Sequence, residues 1–204
     1  MENNEGFRAI VQQTKAQLTI LGTFVALFWL VEIVDGLLFR GGLDFFGVRP
    51  RTVSGLWGIL FGPFLHANFG HVLANTLPFL ILGWFVMLQG IGTFFLVTLS
   101  TAVISGLGIW LIGPSGSVHI GASGLVFGYF GYLLLRGYFE RSFASLAWSG
   151  FVILLYGGMI WGVFPQTRGV SWQAHLFGFI GGGLVAYRLA GRKAAPERPE
   201  HDLV

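Results

Sequence analysis

Long apolar runs separated by short polar breaks organise this chain. A helix needs about 20 apolar residues to cross the hydrocarbon core of a bilayer, and the sequence offers six such runs. The predicted spans are residues 18–39, 71–89, 91–112, 121–138, 145–164 and 173–190. The first run is full length and has no small-residue cleavage site after it, so we predict a retained span rather than a signal peptide. The expected fold class is an all-α integral membrane protein, a bundle of six transmembrane helices.

The stretches outside the runs divide the chain further. Residues 1–17 are polar and mixed in charge and are predicted to be a cytoplasmic N-terminal segment before the membrane domain of residues 18–190. Residues 191–204 contain two prolines and are predicted to be a disordered cytoplasmic tail. The connection over residues 40–69 is rich in Gly, Phe, Leu and Trp, unlike a solvated linker. We expect it to lie partly in the outer leaflet or to pack against the bundle.

Composition supports a membrane protein and removes several kinds of chemistry. Only 10% of the residues are charged and 54% are hydrophobic, whereas soluble domains carry roughly 25% charged residues. The 32 glycines suit close helix packing in lipid. The absence of cysteine excludes disulfides, thiolate zinc sites and cysteine nucleophiles. The net charge of +3 is explained by membrane topology, and no nucleic-acid partner is expected.

The cations are distributed unevenly between the two predicted faces of the bundle. With the N-terminus inside, the cytoplasmic face holds eight: Arg8, Lys15, Arg136, Arg141, Arg188, Arg192, Lys193 and Arg198. The opposite face holds four: Arg40, Arg49, Arg51 and Arg168. This excess predicts that both termini are cytoplasmic. The segments before Ser123 and His175 then lie on the extracytoplasmic side.

Ser123 is a candidate nucleophile at the start of the fourth span. It lies in Gly121-Ala122-Ser123-Gly124, where the two glycines clear space around the hydroxyl. Gly124 and Gly128 form a Gly-x-x-x-Gly face that admits another helix closely. A helix N-terminus also favours a developing anion. The alternative is a structural serine bonded to a helix backbone, which is common in membrane helices.

His175 has the complementary setting in the sixth span. His175, Gly178 and Gly182 share one helical face, so that two glycine-lined faces packed together would bring the imidazole towards Ser123. The alternative is a histidine bonded to a backbone carbonyl between helices.

A third polar cluster opens the second span. His71 and Asn75 are four residues apart and lie on one helical face, from which both could donate hydrogen bonds to an oxyanion. Zinc is the competing use of His66 and His71, but their spacing of five residues is not that of a one-face helical pair. The spans place no Asp or Glu near these histidines to complete or orient a metal shell. No metal is expected.

Together the three motifs resemble those of the rhomboid family of intramembrane serine proteases, on the second, fourth and sixth spans in the family's order. The resemblance implies a two-residue catalytic unit, with Ser123 as nucleophile and His175 as general base and then general acid. It implies that the Ser123 N–H group, His71 and Asn75 stabilise the oxyanion, and that His66 has a supporting role. It also implies cleavage of single-span membrane proteins through an acyl-enzyme, near the extracytoplasmic face and without a cofactor. The short loops and the absence of cysteine favour a bacterial inner membrane. No oligomeric state is predicted.

The supporting positions predicted around this unit are Gly121, Gly124, Phe127 and Gly178. Phe127 departs from the tyrosine that many relatives carry; it can stack on His175 but lacks the hydroxyl. A second departure is Gly58 after Trp57, where relatives often have Trp-Arg, and Arg49 or Arg51 is a candidate replacement.

Three other polar residues have less specific interpretations. Glu32 and Asp35 are expected to make a polar contact near the outer end of the first span rather than to serve as a triad acid. His119 is expected to be a loop histidine at the membrane surface, with substrate contact as the alternative.

Two other functions compete with proteolysis. A catalytically silent relative would bind membrane helices as a chaperone or retention factor, but such proteins usually lack the serine or the histidine. A small transporter or channel would need charged residues along a pathway and usually internal repeats.

Overall fold

The computed structural model describes the backbone of residues 2–165 and 169–194 and the side chains of residues 5–165 and 169–191. Over these ranges the regular structure is helical, apart from an isolated bridge between Val48 and His119. The α-helices are α1 (Glu2–Val34), α2 (Gly58–Phe61), α3 (Phe69–Met87), α4 (Ile91–Ile112), α5 (Ser123–Glu140), α6 (Phe143–Tyr156) and α7 (Trp172–Ala194). The predicted all-α fold class is confirmed.

The long helices agree with the six predicted runs to within a few residues, except at the two ends of the chain. α1 begins at Glu2 because residues 7–17 contain neither proline nor glycine, so the predicted N-terminal segment continues the first helix. α7 continues to Ala194, and the rest of the predicted tail lies outside the described residues, as do Met1 and Arg168. α1 is extended by a π-helical turn to Phe39, and α6 by a 3-10 helix over Gly157–Val163.

Four helical segments of the described chain are long and apolar enough to cross a membrane. They are Glu5–Phe39, Phe69–Met87, Ile91–Ile112 and Phe143–Val163. α5 is less apolar because it is enclosed by four other helices, so that protein rather than lipid covers most of its surface. The chain is an integral membrane protein, while the membrane crossings by α5 and α7 and the cytoplasmic termini stay predictions.

An aromatic cluster fixes α1, α3, α4 and α5 against one another below the polar motifs. Phe28, Phe79, Phe94 and Tyr129 are completely buried. The Phe28 and Phe79 rings meet edge to face with centroids 5.0 Å apart. The Tyr129 hydroxyl lies 2.8 Å from Thr98 Oγ1, so its polar end is satisfied inside the bundle. This cluster holds α5 in a fixed position against the other three helices.

The most extensive helix contact joins α5 to α7, and glycines bring the two backbones together. The Gly178 Cα packs on the Gly124 carbonyl, and the Gly182 Cα packs on the Gly128 carbonyl. A methyl group at either position would collide with backbone atoms, which cannot move aside as a flexible side chain can. The two predicted glycine faces therefore pack on each other, with Ser123 and His175 near the same end of the pair.

The connection between α1 and α3 folds back onto the bundle as a series of short helical turns. Val48 forms a pair of backbone hydrogen bonds with His119, each 2.9 Å long. The Gly58 Cα packs against the Gly47 carbonyl, which keeps the connection compact. Large apolar side chains such as Val53 and Trp57 point outward and are exposed. Packing against the bundle is as expected, while contact of the outer side with lipid stays a prediction.

Arg51, rather than Arg49, fastens this connection to the bundle. The Arg51 guanidinium donates hydrogen bonds to the Leu111 carbonyl at 3.0 Å and to Ser115 Oγ at 2.6 Å, at the C-terminal end of α4. Arg49 instead donates to Ser54 Oγ at 2.6 Å within its own segment. A cation at a helix C-terminus is also favoured by the helix dipole. Of the two candidate anchors, Arg49 and Arg51, only Arg51 forms side-chain hydrogen bonds to another described part of the fold.

Replacing Arg51 with alanine is expected to lower the midpoint of thermal unfolding in detergent by about 2–4 °C, because hydrogen bonds from a charged donor are lost at a partly exposed site (about 1 kcal/mol). Arg49→Ala is the matched control, since it removes the same charge from the same connection without detaching it from α4. Equal shifts for the two variants would contradict the anchoring role of Arg51.

Candidate active site

Ser123 is the first residue of α5 and directly follows a glycine turn. Gly121 has φ +108°, in the region that L side chains rarely adopt. The chain then enters the helix through Ala122. The backbone N–H group of Ser123 has no partner within the helix, because the first N–H groups of a helix lie ahead of its hydrogen-bond ladder. The turn thus presents a hydroxyl and an unpaired N–H group together at a helix N-terminus.

The structure brings Ser123 and His175 into hydrogen-bonding distance, with Ser123 Oγ 3.0 Å from His175 Nε2. The other ring nitrogen of His175, Nδ1, lies 3.0 Å from the Gly162 carbonyl oxygen. A carbonyl can only accept a hydrogen bond, so Nδ1 carries the proton and Nε2 presents its lone pair to the serine hydroxyl. This tautomer is the one that can accept the hydroxyl proton.

The Phe127 ring stacks on one face of the His175 ring. The two rings are stacked with centroids 4.0 Å apart and planes inclined by 6°. A methyl group at Gly162 would lie 2.5 Å from Phe127 Cζ and 3.3 Å from His175 Nδ1, so glycine is required where the carbonyl approaches the ring. The phenyl ring therefore supplies the stacking expected at this position, without a hydroxyl.

No carboxylate takes the position of a triad acid among the described residues. That position, at His175 Nδ1, is occupied by the Gly162 carbonyl. Asp35 is buried at the end of α1, where its Oδ1 accepts a hydrogen bond from the Leu43 N–H group at 2.9 Å. Asp35 therefore makes the expected polar contact at the end of the first helix, whereas Glu32 Oε2 is buried and has no hydrogen-bond partner in the described part of the chain.

His71 and Asn75 face the glycine turn before Ser123. A methyl group at Gly121 would lie 2.7 Å from His71 Nε2 and 3.6 Å from Asn75 Nδ2. The Ala67 N–H group donates to His71 Nδ1 at 3.4 Å, so the ring proton belongs on Nε2, towards the turn. One Asn75 N–H bond is used by the His71 carbonyl at 3.2 Å, which leaves the second available. Both residues can therefore donate hydrogen bonds close to Ser123.

His66 is buried and supports the glycine turn before Ser123. It is 2% exposed, and its ring contacts the His71 ring with centroids 5.0 Å apart. His66 Nε2 accepts a hydrogen bond from the Ala122 N–H group at 3.4 Å, and the Gly121 N–H group donates to the Gly62 carbonyl at 2.9 Å. Consecutive peptide groups before Ser123 are thus fixed by the connection that folds back from α1.

A cavity of about 860 Å³ opens above Ser123 and His175. The described residues that line it include no Asp, Glu, Lys or Arg. Its polar groups are hydroxyls, imidazoles and carboxamides, among them His71, Asn75 and Gln173. A cavity of this size can admit several residues of an extended peptide.

A metal site has little support in the described part of the chain. There, no group of three or more potential His, Asp or Glu ligands is close enough to hold an ion. His66 Nε2 accepts a hydrogen bond from the Ala122 N–H group, and His71 Nδ1 accepts one from the Ala67 N–H group.

Several groups that support the site were not predicted from the sequence. Asn68 caps α3 by accepting the His71 N–H group at 2.9 Å, and an asparagine just before an apolar helix is a signal that could have identified it. Ser105 donates to the Ala174 carbonyl at 2.9 Å and so ties α4 to α7 beside His175. The Gly162 carbonyl leaves no sequence signal, because any residue has a carbonyl group.

Comparison with known proteins gives consistent results along most of the chain. The family model for the Rhomboid domain matches residues 53–192. An uncharacterized protein of Mycobacterium tuberculosis is 44% identical over 200 residues, which cover 92% of this chain and 81% of that protein. An uncharacterized Mycobacterium leprae protein is 40% identical over 210 residues, with coverages of 97% and 81%.

A more distant relative carries a functional name. YdcA of Bacillus subtilis, named as a proposed rhomboid protease, is 32% identical over 149 residues, which cover 72% of this chain and 74% of YdcA. Because the family model covers more than half of the chain and includes all the motifs described above, this protein belongs to the rhomboid family.

Proposed function

We propose that this protein is an intramembrane serine endopeptidase that acts through Ser123 and His175. The observation that carries the proposal is the 3.0 Å contact between Ser123 Oγ and His175 Nε2, with the tautomer of His175 set by the Gly162 carbonyl. A hydroxyl becomes an effective nucleophile when such a base removes its proton. Family membership supports the same chemistry.

In the proposed first half-reaction, Ser123 Oγ attacks the scissile carbonyl while His175 Nε2 takes the hydroxyl proton. The oxyanion receives hydrogen bonds from the Ser123 N–H group, His71 Nε2 and Asn75 Nδ2, and preorganised donors of this kind supply a large part of the rate enhancement in acyl transfer. The protonated His175 then gives its proton to the leaving amine, and the acyl-enzyme forms. Water attacks this ester with His175 as base, and Ser123 regains its proton.

The imidazolium formed in this cycle is stabilised without an acid. The Gly162 carbonyl accepts the Nδ1 proton throughout. The stacked Phe127 ring presents its electron-rich face to the developing cation, an interaction that contributes about 0.5–2 kcal/mol. A carboxylate would need further compensation at this depth in a membrane.

The proposed substrates are single-span membrane proteins cleaved near the extracytoplasmic face of a bacterial inner membrane. The excess of cations on the predicted cytoplasmic face supports this orientation. The described residues that line the cavity are uncharged, which suits the residues of a substrate at the border between lipid and water. A substrate must leave its helix locally, because a helical backbone hides its carbonyl groups from attack.

The test is labelling of the detergent-purified protein with a fluorophosphonate probe, followed by mapping of the modified residue. We expect the label on Ser123 of the wild type and none in Ser123→Ala or in His175→Ala, since the hydroxyl needs the imidazole. Folding of each variant is checked by thermal unfolding. A folded wild type that does not label would overturn the proposal in favour of a non-catalytic helix-binding relative.

A further inference from the structure

His119 has no role in the proposed reaction, yet both of its ring nitrogens are engaged. Nε2 lies 2.8 Å from Ser117 Oγ, and Nδ1 lies 2.7 Å from Ser171 Oγ. Ser117 is in the same loop, whereas Ser171 directly precedes α7. The histidine therefore links the loop that leads to Ser123 with the start of the helix that carries His175.

The direction of each hydrogen bond follows from the partners. Ser117 Oγ donates its one proton to the Pro114 carbonyl at 2.6 Å, so it must accept from His119 Nε2. Nδ1 of the neutral ring is then an acceptor, and the Ser171 hydroxyl donates to it. Ser171 Oγ keeps a lone pair for the Ala174 N–H group at 3.3 Å. Burial lowers the pKa of His119, which favours this neutral form.

The position of this link is suited to setting the distance between the two active-site residues. His119 precedes Ser123 by four residues, and Ser171 precedes His175 by four. Beyond the Ser123–His175 pair, the Gly178 Cα packs on the Gly124 carbonyl. The pair thus lies between a close backbone contact on one side and the His119–Ser171 hydrogen bond on the other.

We propose that His119 and Ser171 form a clasp that positions His175 against Ser123, so that His119 is a positioning residue for the reaction. This inference rests on the proposed function. The backbone bonds between His119 and Val48 fix one side of the clasp on the connection from α1. The side-chain hydrogen bond to Ser171 then restrains the start of α7 relative to that connection.

The test is a double-mutant cycle with His119→Phe, which keeps a planar ring without its nitrogens, and Ser171→Ala. The readout is the rate of fluorophosphonate labelling of folded protein. Each single variant is expected to label roughly five- to tenfold more slowly, the effect of one hydrogen bond. Relative to wild type, the double variant is expected to be slowed by much less than the product of the two single factors, because both substitutions remove the same bond.

Two further variants separate positioning from other roles. Ser171→Thr keeps the hydroxyl and is expected to restore most of the rate, and Ser100→Ala, on α4 away from the clasp and the cavity, is expected to have no effect. Labelling within twofold of wild type for His119→Phe would overturn the clasp. So would fully multiplicative effects in the double variant. A small probe does not use extended substrate contacts, so a substrate-binding role would change peptide cleavage alone.

A readout independent of catalysis keeps the two proposals apart. In protein labelled with ¹⁵N-histidine, which has five histidines, the His119 ring is expected to be the Nε2-protonated tautomer with a hydrogen-bonded Nδ1. The Nδ1 resonance is expected to shift in Ser171→Ala. If the Nδ1 resonance is the same in Ser171→Ala as in wild type, the clasp is overturned whether or not Ser123 labels. If the resonance changes as expected but Ser123 of the wild type does not label, the proposed function alone is overturned.

Discussion

Replacing Ser123 with alanine is expected to reduce cleavage of a single-span membrane protein by at least about 10⁴-fold, as loss of the nucleophile does in other serine hydrolases. The measurement is the turnover rate after reconstitution of enzyme and substrate together in lipid vesicles. The hydroxyl is 3.0 Å from His175 Nε2, and the turn that precedes it is faced by His71 and Asn75, which can donate hydrogen bonds to an oxyanion. The fold should survive, because alanine removes one atom at a helix start beside the cavity.

The matched control for this experiment is Ser100→Ala. Ser100 lies on α4 and takes no part in the cavity or in its hydrogen bonds. It is expected to cleave at the wild-type rate. Residual turnover of Ser123→Ala close to that of the control would contradict the assigned nucleophile even if the probe labels the wild type.

Replacing Gly178 with alanine is expected to damage both the fold and the site. The added methyl group would collide with the Gly124 carbonyl oxygen and lie 3.1 Å from the carbonyl carbon. The collision is between two backbones, so α7 must move away from α5. Overpacking of this kind destabilises by about 3 kcal/mol, or about 6–12 °C in the unfolding midpoint for a chain of this size.

The same displacement should slow labelling of the remaining folded protein by at least about 100-fold. His175 is one helical turn before Gly178, and a misplacement of about 1 Å can cost that much in rate. Gly191→Ala is the control on the same helix, because nothing lies within 4 Å of the methyl group that it adds. That variant should be unchanged or slightly more stable. Similar behaviour of the two variants would contradict close packing as the source of the alignment.

Much of the helical architecture could be predicted because its signals are local and periodic. The apolar runs that predict α3 and α4 are continuous in sequence, and their ends agree to within a few residues. The glycine faces of α5 and α7 were visible as four-residue spacings, and the structure packs them together. α1 begins at Glu2, well before the predicted membrane span at residue 18, because polarity limits a membrane span but does not by itself end a helix.

The hydrogen-bond partners that hold His175 and the turn before Ser123 could not be predicted in the same way. The Gly162 carbonyl that contacts His175 lies in the 3-10 helix that follows α6 from Gly157. His66 bonds a backbone N–H group 56 positions away. A pattern within a window of sequence contains no information about which distant backbone groups will meet.

Local sequence patterns are enough to predict the helices, the membrane class and the residues with the right chemistry, because hydropathy and glycine spacing act over one or two helical turns. The resemblance of their motifs to a family also identifies Ser123 and His175 as a pair. Tertiary packing is needed to set the tautomer of His175, the hydrogen bonds that fix the turn before Ser123 and the link from His119 to Ser171. Those features are distances between groups far apart in the chain, and they exist only once α5 and α7 have packed.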